Sequence, residues 1–175
     1  MGSCKGFSII DIVRNDPKKL TVHFGGPRGR KIRDNYLGMT TENILEDGTI
    51  VEKPIIKGLT TRSPSYTFQD DRGLLCSTQF AQPAIILMEL AALEDMRSRG
   101  LVQENAVFAG HSLGEYSALC SLTTFMSLES FLSLVFYRGL AMQVVMKRDE
   151  KGQTEFSMVA VNPSRVGRGK HIDTK

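Results

Sequence analysis

One short stretch near the middle of the chain restricts its fold more than any other. The apolar residues 106–109 lead directly into Gly-His-Ser-Leu-Gly at 110–114, and a helix-compatible sequence follows. Glycines two positions before and two positions after Ser112 let the backbone pass close to itself. The pattern predicts a strand over 106–109, a sharp turn with Ser112 at its apex, and a helix over 113–124.

A serine at such a turn is placed for nucleophilic chemistry. Its hydroxyl points out at the helix N-terminus, where the backbone N–H of Leu113 and the helix dipole stabilise a developing oxyanion. A nucleophilic serine also needs a base, and the chain has three histidines. His111 adjoins the serine and points away from it, His23 lies in an extended segment, and His171 lies in the tail. The residues alone leave open whether Ser112 is a nucleophile or only a serine in a tight turn.

The second half of the chain alternates between strand and helix patterns. Apolar residues at a spacing of 3.6 predict a helix over 83–99, with Pro83 in its first turn and Gly100 at its end. Ser127 is expected to cap a further helix, and Met158 begins an expected last strand that ends at Val161. The order strand, helix, helix, strand indicates the α/β class.

The first half gives weaker signals. Asp47-Gly48 predicts a hairpin turn, because this dipeptide accommodates the positive φ angles of such turns. The other expected elements are a helix or strand over 7–13, a strand over 20–24, a helical segment within 28–45, an irregular excursion over 50–64 and a short strand around Tyr66 and Phe68.

Composition excludes several classes of protein. Of the 175 residues, 41% are hydrophobic and 23% charged, which is typical of a globular domain. The net charge is +3, and the basic clusters at 28–33 and 165–175 lack interleaved aromatic residues, so we expect no nucleic-acid partner. The longest apolar stretch, near 84–93, is interrupted by Glu89, and we expect no membrane span. Residues 1–163 are expected to form one partial domain, followed by a basic, disordered tail over 164–175.

The cysteines favour a reducing compartment. Cys4, Cys76 and Cys120 are far apart and odd in number, which argues against a disulfide framework and suits the cytoplasm. Their spacing relative to the histidines does not match a zinc site. We therefore expect a cytoplasmic protein with no metal and no cofactor in this domain.

Longer motifs resemble a known family. GHSLGEYSAL at 110–119 resembles the signature of malonyl-CoA:acyl-carrier-protein transacylases, and TQFAQPA at 78–84 and FYRGLAMQ at 136–143 are similar to two further segments of that family. The closest resemblance is to the malonyl/palmitoyl transferase domain of the fungal fatty acid synthase β subunit, over about residues 6–166. The segments that carry it are GFSIIDIV (6–13), LTVHFGGPRGRKIR (20–33), SYTF (65–68), GLVQENAVFAGHSLGEY (100–116) and MVAVNP (158–163).

The resemblance implies a role for each matching residue. Ser112 would accept the acyl group, and the N–H of Leu113 would bind the oxyanion. Arg138 would pair with the free carboxylate of a malonyl group, since a guanidinium fork matches a planar carboxylate and stays charged. Gln82 would lie near the acyl pocket and Met142 would line it. Without the resemblance, Arg138 also fits a cation extending from an amphipathic helix to water.

The resemblance also implies a fold, partners and a reaction. The fold would be a partial acyltransferase core, similar to an α/β-hydrolase, with a short parallel sheet and flanking helices. The serine would take malonyl or palmitoyl groups from CoA or acyl carrier protein, alongside other fatty acid synthase domains. Three family features are missing from this sequence: a Gly-Gln-Gly-Ser-Gln loop, a histidine segment after MVAVNP, and a ferredoxin-like subdomain. We therefore expect a fragment of the domain that turns over poorly, so whether this chain is itself an enzyme stays open.

Two other interpretations remain. The chain could be a catalytically dead fragment that serves only as a structural or interaction piece of the synthase. It could also be a serine hydrolase of the α/β-hydrolase type, in which an acid and a histidine follow the nucleophile; Asp149 and His171 occur in that order.

Overall fold

The computed structural model describes residues 8–122 and 126–146, together with Thr154 and Val159. Residues 1–145 form one compact unit and residues 146–175 a second. The elements in chain order are α1 (Ile9–Asn15), β1 (Lys19–His23), α2 (Gly26–Leu37), β2 (Thr40–Ile44), β3 (Ile50–Pro54), β4 (Ser65–Gln69), a 3₁₀ turn (Leu74–Cys76), α3 (Thr78–Ser98), α4 (Leu113–Leu122) and α5 (Leu128–Val145). The expected tail over 164–175 and the domain boundary before it lie outside the described residues.

The strands of the described part form two antiparallel pairs. β1 pairs with β4, with Leu20 opposite Phe68, and β2 pairs with β3, with Ile44 opposite Ile50. The predicted hairpin turn is confirmed: Gly48 has φ +81°, and the N–H of Thr49 donates to the Asp47 carboxylate at 2.9 Å. The irregular excursion expected over 50–64 is wrong at its start, because residues 50–54 form β3.

A mixture of helix and strand is confirmed, but the short parallel sheet is not found among the described residues. The predicted strand over 106–109 is wrong. These residues are irregular, and the side chain of Val107 is 93% exposed. A strand needs a hydrogen-bonded neighbour, and an apolar run alone does not supply one. The last expected strand, Met158–Val161, falls outside the described residues except for Val159, which is irregular.

Helix α3 begins earlier than the sequence indicates. It starts at Thr78, so Pro83 lies inside the helix rather than in its first turn. Its C-terminal end is as predicted. Gly100 has φ +67°, and Leu101 donates its N–H to the Met96 carbonyl at 2.9 Å. This bond, together with the one from Gly100 to Arg97 at 3.0 Å, closes the helix in a Schellman motif.

The cap expected for α5 is confirmed. The Ser127 hydroxyl accepts the N–H of Ser130 at 3.2 Å, and Glu129 lies in the first turn. The ambiguity of residues 7–13 is resolved in favour of a helix, because α1 spans Ile9–Asn15.

The helices that carry the site pack around two apolar clusters. The larger cluster centres on stacked and edge-on aromatic rings, including Phe80 of α3 and Phe136 of α5 at 5.6 Å between ring centroids. The smaller cluster joins Ile86 of α3 to Phe131 and Val135 of α5, with α4 packed on it. Helix α3 is therefore the central element, in contact with both α4 and α5.

A glycine sets the closest approach between α3 and α5. A Cβ placed on Gly139 would lie 2.6 Å from the carbonyl oxygen of Thr78 and 2.7 Å from Cα of Gln79. Real Cβ atoms do not approach backbone that closely. The absence of a side chain at 139 therefore brings the preceding residue, Arg138, within reach of the polar side chains on α3.

Helix α5 also meets a length and composition test for a membrane span. Its 18 residues, Leu128–Val145, have a mean hydropathy of 1.2, and it is the one helix of this kind in the described part of the chain. This finding concerns length and composition only, so the expectation of no membrane span stays a prediction. The result is weak evidence for a membrane, because core helices pass the same test, and α5 packs Phe131, Val135 and Phe136 against its neighbours.

Candidate active site

The turn at Ser112 has the strained geometry that the sequence predicts. Ser112 has φ +55°, in the left-handed region that a non-glycine residue seldom adopts. A Cβ placed on Gly110 would lie 2.0 Å from the carbonyl carbon of Gly114. Only glycine at 110 permits this approach, so the first glycine of the motif is a requirement of the backbone path. Strain of this kind costs roughly 1–3 kcal/mol and is concentrated at functional sites.

Helix α4 starts immediately after the serine. Leu113 is its first residue, and the next two N–H groups donate back across the turn, from Gly114 to His111 at 3.0 Å and from Glu115 to Ser112 at 3.3 Å. An N–H in the first turn of a helix has no acceptor within that helix. The N–H of Leu113 is thus placed beside the serine at the positive end of the helix dipole.

The guanidinium of Arg138 lies directly beside the serine. Its Nη2 donates to Ser112 Oγ at 2.9 Å, and its Nη1 donates to Gln82 Oε1 at 2.6 Å. The fork therefore joins three elements, namely the turn before α4, helix α3 and helix α5. Ser112 is exposed and Arg138 is half-buried, so an incoming molecule can reach the face that they share.

Gln82 holds the arginine from the inner side. The residue is only 6% exposed, and its amide donates from Nε2 to the sulfur of Met142 at 3.3 Å while its oxygen accepts from Arg138. Both ends of the amide thus have partners on α5. The thioether of Met142 lies one helical turn beyond Arg138, and the residue is 39% exposed.

The structure thus brings together every side chain that the sequence singled out for the site. Ser112, Arg138, Gln82 and Met142 form one continuous chain of hydrogen bonds, and the N–H of Leu113 lies at the same turn. The contacts place these residues in one site but do not test the roles given to them.

Two further residues support the site and were missed in the sequence. The guanidinium carbon of Arg138 lies 5.0 Å from the centre of the Tyr116 ring. Gln143 accepts both the N–H and the hydroxyl of Thr78, at 3.1 and 2.8 Å, and so caps α3. The sequence contained a signal for Tyr116, because it follows Ser112 by four residues in a helical segment and so lies on the same face of that helix as the serine. Spacing alone gave no signal for Gln143, because its partner is 65 residues away.

A further contact fixes α4 to α3. Ser117 donates its hydroxyl to the carboxylate of Glu89, and Arg97 of α3 donates to the carbonyl of Ser121 at 2.7 Å. These polar contacts lie on either side of the apolar cluster of Ile86 and Phe131. The turn that carries the serine is therefore anchored through the helix that follows it.

Among the residues that the structure describes, Ser112 has no hydrogen bond to a histidine. His111 is exposed, and its carbonyl accepts the N–H of Gly114. His23 lies in β1 opposite Ser65, and His171 falls outside the described residues. Within the described part, no group of three or more His, Cys, Asp or Glu side chains is arranged to hold a metal ion.

The thiol on α4 is not a competing nucleophile. Burial raises the pKa of Cys120, so this thiol stays protonated at neutral pH, and the thiolate is the reactive form. The hydroxyl of Ser112, beside a cation and a helix N-terminus, is the side chain of this helix region best placed to attack an electrophile. A planar anion such as a carboxylate fits the arginine fork next to it.

Comparison with known proteins agrees with this chemistry. The family model described as the acyl transferase domain matches residues 1–170. The chain is 60% identical to the fatty acid synthase subunit beta of Aspergillus oryzae, over 93% of this chain. It is 56% identical to the fatty acid synthase beta subunit pigK of Monascus ruber, over 97% of this chain, and 54% identical to the fatty acid synthase subunit beta of Saccharomyces cerevisiae, over 92%.

These relatives are much longer proteins. The chain spans about 8% of the length of each of them. The resemblance found in the sequence motifs is confirmed over most of the chain. This chain belongs to the acyl transferase domain family, in the form found in fungal fatty acid synthase beta subunits.

Proposed function

We propose that this chain carries the acyl-accepting part of a malonyl and palmitoyl transferase, with Ser112 as the nucleophile. The observation that carries the proposal is the 2.9 Å hydrogen bond between Arg138 Nη2 and Ser112 Oγ. It places a permanent cation with a forked set of donors beside the one atom that would form the acyl bond. A malonyl group has a thioester carbon at one end and a carboxylate at the other, and this pair of residues matches both ends.

The proposed roles give the following first half-reaction. Ser112 Oγ attacks the thioester carbonyl carbon of malonyl-CoA, the C–O bond forms, and the C–S bond breaks to release CoA. The proton of the serine goes to the departing sulfur by way of a base. Leu113 donates its N–H to the oxyanion of the tetrahedral intermediate. In other enzymes, removal of one such donor lowers the rate about a hundred- to a thousandfold. In the second half-reaction, the thiol of acyl carrier protein attacks the serine ester and regenerates the hydroxyl.

The base has to be a residue other than Arg138. An arginine has donors only and stays protonated, so its bond to Ser112 orients the hydroxyl and cannot remove its proton. The resemblance assigns the base to a histidine in a later segment of the family. A rate that increases sharply when that segment is supplied in a longer protein would agree with this division of roles.

Malonyl and palmitoyl groups would use the site differently. The malonyl carboxylate would replace the serine hydroxyl as the partner of Arg138 Nη2, while Nη1 stays bonded to Gln82. A palmitoyl group has no carboxylate and would contact the apolar thioether of Met142, whose flexible side chain adapts to irregular shapes. The proposal further includes CoA esters and acyl carrier protein as substrates, other synthase domains as partners, no cofactor in this domain, no nucleic-acid or membrane partner, and a cytoplasmic location.

The test is intact-protein mass spectrometry after brief incubation with malonyl-CoA. We expect an adduct of one malonyl group on the wild type, none on Ser112→Ala, and a strongly reduced amount on Arg138→Ala. Acetyl-CoA, which has no free carboxylate, is the matched substrate control and should label Arg138→Ala as well as the wild type. A malonyl adduct that persists in Ser112→Ala would show that the nucleophile is another residue.

A second function, as a structural or interaction piece of the synthase, is favoured by the exposed apolar side chains. Val107 is 93% exposed, Met88 64% and Leu122 59%, and exposed apolar side chains mark an interface where they form one contiguous patch. The two functions are distinguished by the same experiment. A folded protein that binds malonyl-CoA in an Arg138-dependent way, and forms no adduct over hours, would support the second function over the first.

A further inference from the structure

We propose that Tyr116 is a positioning residue, whose ring holds the Arg138 guanidinium in the orientation that receives a substrate carboxylate beside Ser112. The inference rests on the proposed function of the site. It assigns a task to a residue that neither contacts the reacting atoms nor enters the chain of hydrogen bonds through the serine. The carrying observation is the 5.0 Å distance between the guanidinium carbon and the ring centre, within the range of a cation–π contact.

The hydrogen bonds of Arg138 leave its plane incompletely fixed. Nη1 is held by Gln82 and Nη2 by Ser112. These two hydrogen bonds fix the positions of Nη1 and Nη2, and the guanidinium plane can still rotate about the line that joins the two nitrogens. A ring face packed against the cation restricts this tilt, because the negative potential of the ring is concentrated on its face.

The contact with Ser112 also has to be released when a substrate arrives. A malonyl carboxylate would take the place of the serine hydroxyl at Nη2, so this bond cannot hold the arginine during binding. The contacts of the guanidinium with Gln82 and Tyr116 do not involve Nη2, so they can persist when the serine hydroxyl is replaced. They therefore maintain the fork in a pre-organised orientation at the moment when the substrate needs it.

The ring is itself held rigidly. Tyr116 packs edge-on against Phe131 at 6.4 Å between ring centroids, and Phe131 is only 1% exposed. Tyr116 also belongs to the apolar cluster around Ile86 and Val135. It follows Ser112 by one helical turn, so the same short helix that places the nucleophile also places the support of its neighbouring cation.

The face of the ring carries the interaction, and the phenolic hydroxyl is not needed for it. This distinguishes two substitutions. Tyr116→Phe keeps the ring, whereas Tyr116→Leu keeps an apolar side chain for the cluster of Ile86 and removes the π face. A residue with a merely structural role would affect every ligand of the site equally. A residue that orients Arg138 affects ligands with a free carboxylate and spares those without one.

The experiment measures the affinity for malonyl-CoA and acetyl-CoA by calorimetry, and the protein with the wild-type Tyr116 and both variants all carry Ser112→Ala so that no acyl ester forms. We expect Tyr116→Phe to bind malonyl-CoA within about twofold of the wild type and Tyr116→Leu to bind it about fivefold more weakly, a loss in the range of a cation–π contact. Acetyl-CoA should bind all three proteins equally. Equal weakening of both CoA esters in Tyr116→Leu, or equal losses in the two variants, would overturn the inference.

A second measurement detects the contact between the Tyr116 ring and the Arg138 guanidinium in the absence of any substrate. The Nε–H signal of Arg138 in an NMR spectrum is identified by its loss in Arg138→Lys. In the wild type and in Tyr116→Phe this signal should be shifted by the ring current of residue 116, and in Tyr116→Leu the shift should be lost. If Tyr116→Leu does not fold, Tyr116→Met supplies a flexible apolar substitute for the same comparison. If the wild type binds neither CoA ester, the proposed function fails, and the Arg138 signal still decides whether Tyr116 positions the guanidinium. An unchanged signal without the ring would refute that role.

Discussion

Gly139 gives the sharpest test of how the site is assembled, because two effects of replacing it have opposite signs. In the interior of a helix, alanine is more favourable than glycine by about 1 kcal/mol. Gly139→Ala would therefore stabilise α5 if the position were open. It is not open, since the new Cβ would lie 2.6, 2.7 and 2.9 Å from three backbone atoms of Thr78 and Gln79.

The clash should exceed the gain in helix propensity. Backbone atoms cannot move away by changing a rotamer, so α3 and α5 have to separate by several tenths of an ångström. Overpacking of this kind costs typically about 1–3 kcal/mol. After subtracting the propensity gain of about 1 kcal/mol, we expect a net loss of up to about 2 kcal/mol, which corresponds to a decrease in Tm of up to roughly 8 °C for a chain of this size.

The matched control is Gly114→Ala, in α4. A Cβ on Gly114 meets no heavy atom within 4 Å, so this variant should show the propensity effect alone, with stability equal to or higher than that of the wild type. Urea denaturation followed by circular dichroism measures both variants. The reasoning is refuted if Gly139→Ala is as stable as Gly114→Ala.

The separation should also reach the site. Arg138 adjoins Gly139, and its 2.6 Å bond to Gln82 spans the same two helices. We expect Gly139→Ala to bind malonyl-CoA more weakly than the wild type at a temperature where both are folded. Unchanged affinity would mean that the arginine and glutamine adapt independently of the helix spacing.

Three further predictions concern the turn, the cap of α3 and the loop before it. Gly110→Ala should abolish malonyl labelling in mass spectrometry while the helical signal of the protein persists, because its Cβ would meet backbone at 2.0 Å; normal labelling would contradict this. Gln143→Ala should lower stability by about 1 kcal/mol, since the N–H of Thr78 loses its cap, and Gln143→Glu, which keeps an acceptor, should restore most of it in urea denaturation. Hydrogen bonds from Arg72 lower the pKa of Asp70, so the stabilising contribution of this carboxylate is present above the ordinary pKa of an aspartate and is lost as the pH falls through the lowered value. In Asp70→Asn the free energy of unfolding should therefore decrease less at acidic pH than in the wild type. An equal decrease in both proteins would exclude Asp70 as its source.

The local sequence predicted some elements because their causes are local. Asp47-Gly48 forms a hairpin turn through its own dihedral angles and the Asp47 carboxylate. Gly100 closes α3 because it adopts the left-handed conformation without steric cost. Ser127 caps α5 through a bond to a residue three positions later. Each of these interactions spans only a few residues, so it can be read directly from the sequence.

The errors arose where distant parts of the chain decide the outcome. The apolar run at 106–109 resembles a strand, but a strand exists only when a neighbour pairs with it, and Val107 is exposed. Pro83 was expected to open α3, but the helix starts at Thr78, whose N–H is capped by Gln143 from 65 residues away. Neither outcome follows from propensities within a window of residues.

The sequence by itself determined the turn at Ser112, because Gly110 and the positive φ of Ser112 are requirements of one short backbone path. Its longer motifs also identified Arg138 and Gln82 as candidates. Only the tertiary structure decided that these residues meet. The missing side chain at Gly139 lets α5 approach α3, and a third helix, α4, brings the ring of Tyr116 against the guanidinium. The physical reason is that a turn is set by dihedral angles of adjacent residues, whereas a binding site is set by packing distances between helices that are far apart in the chain.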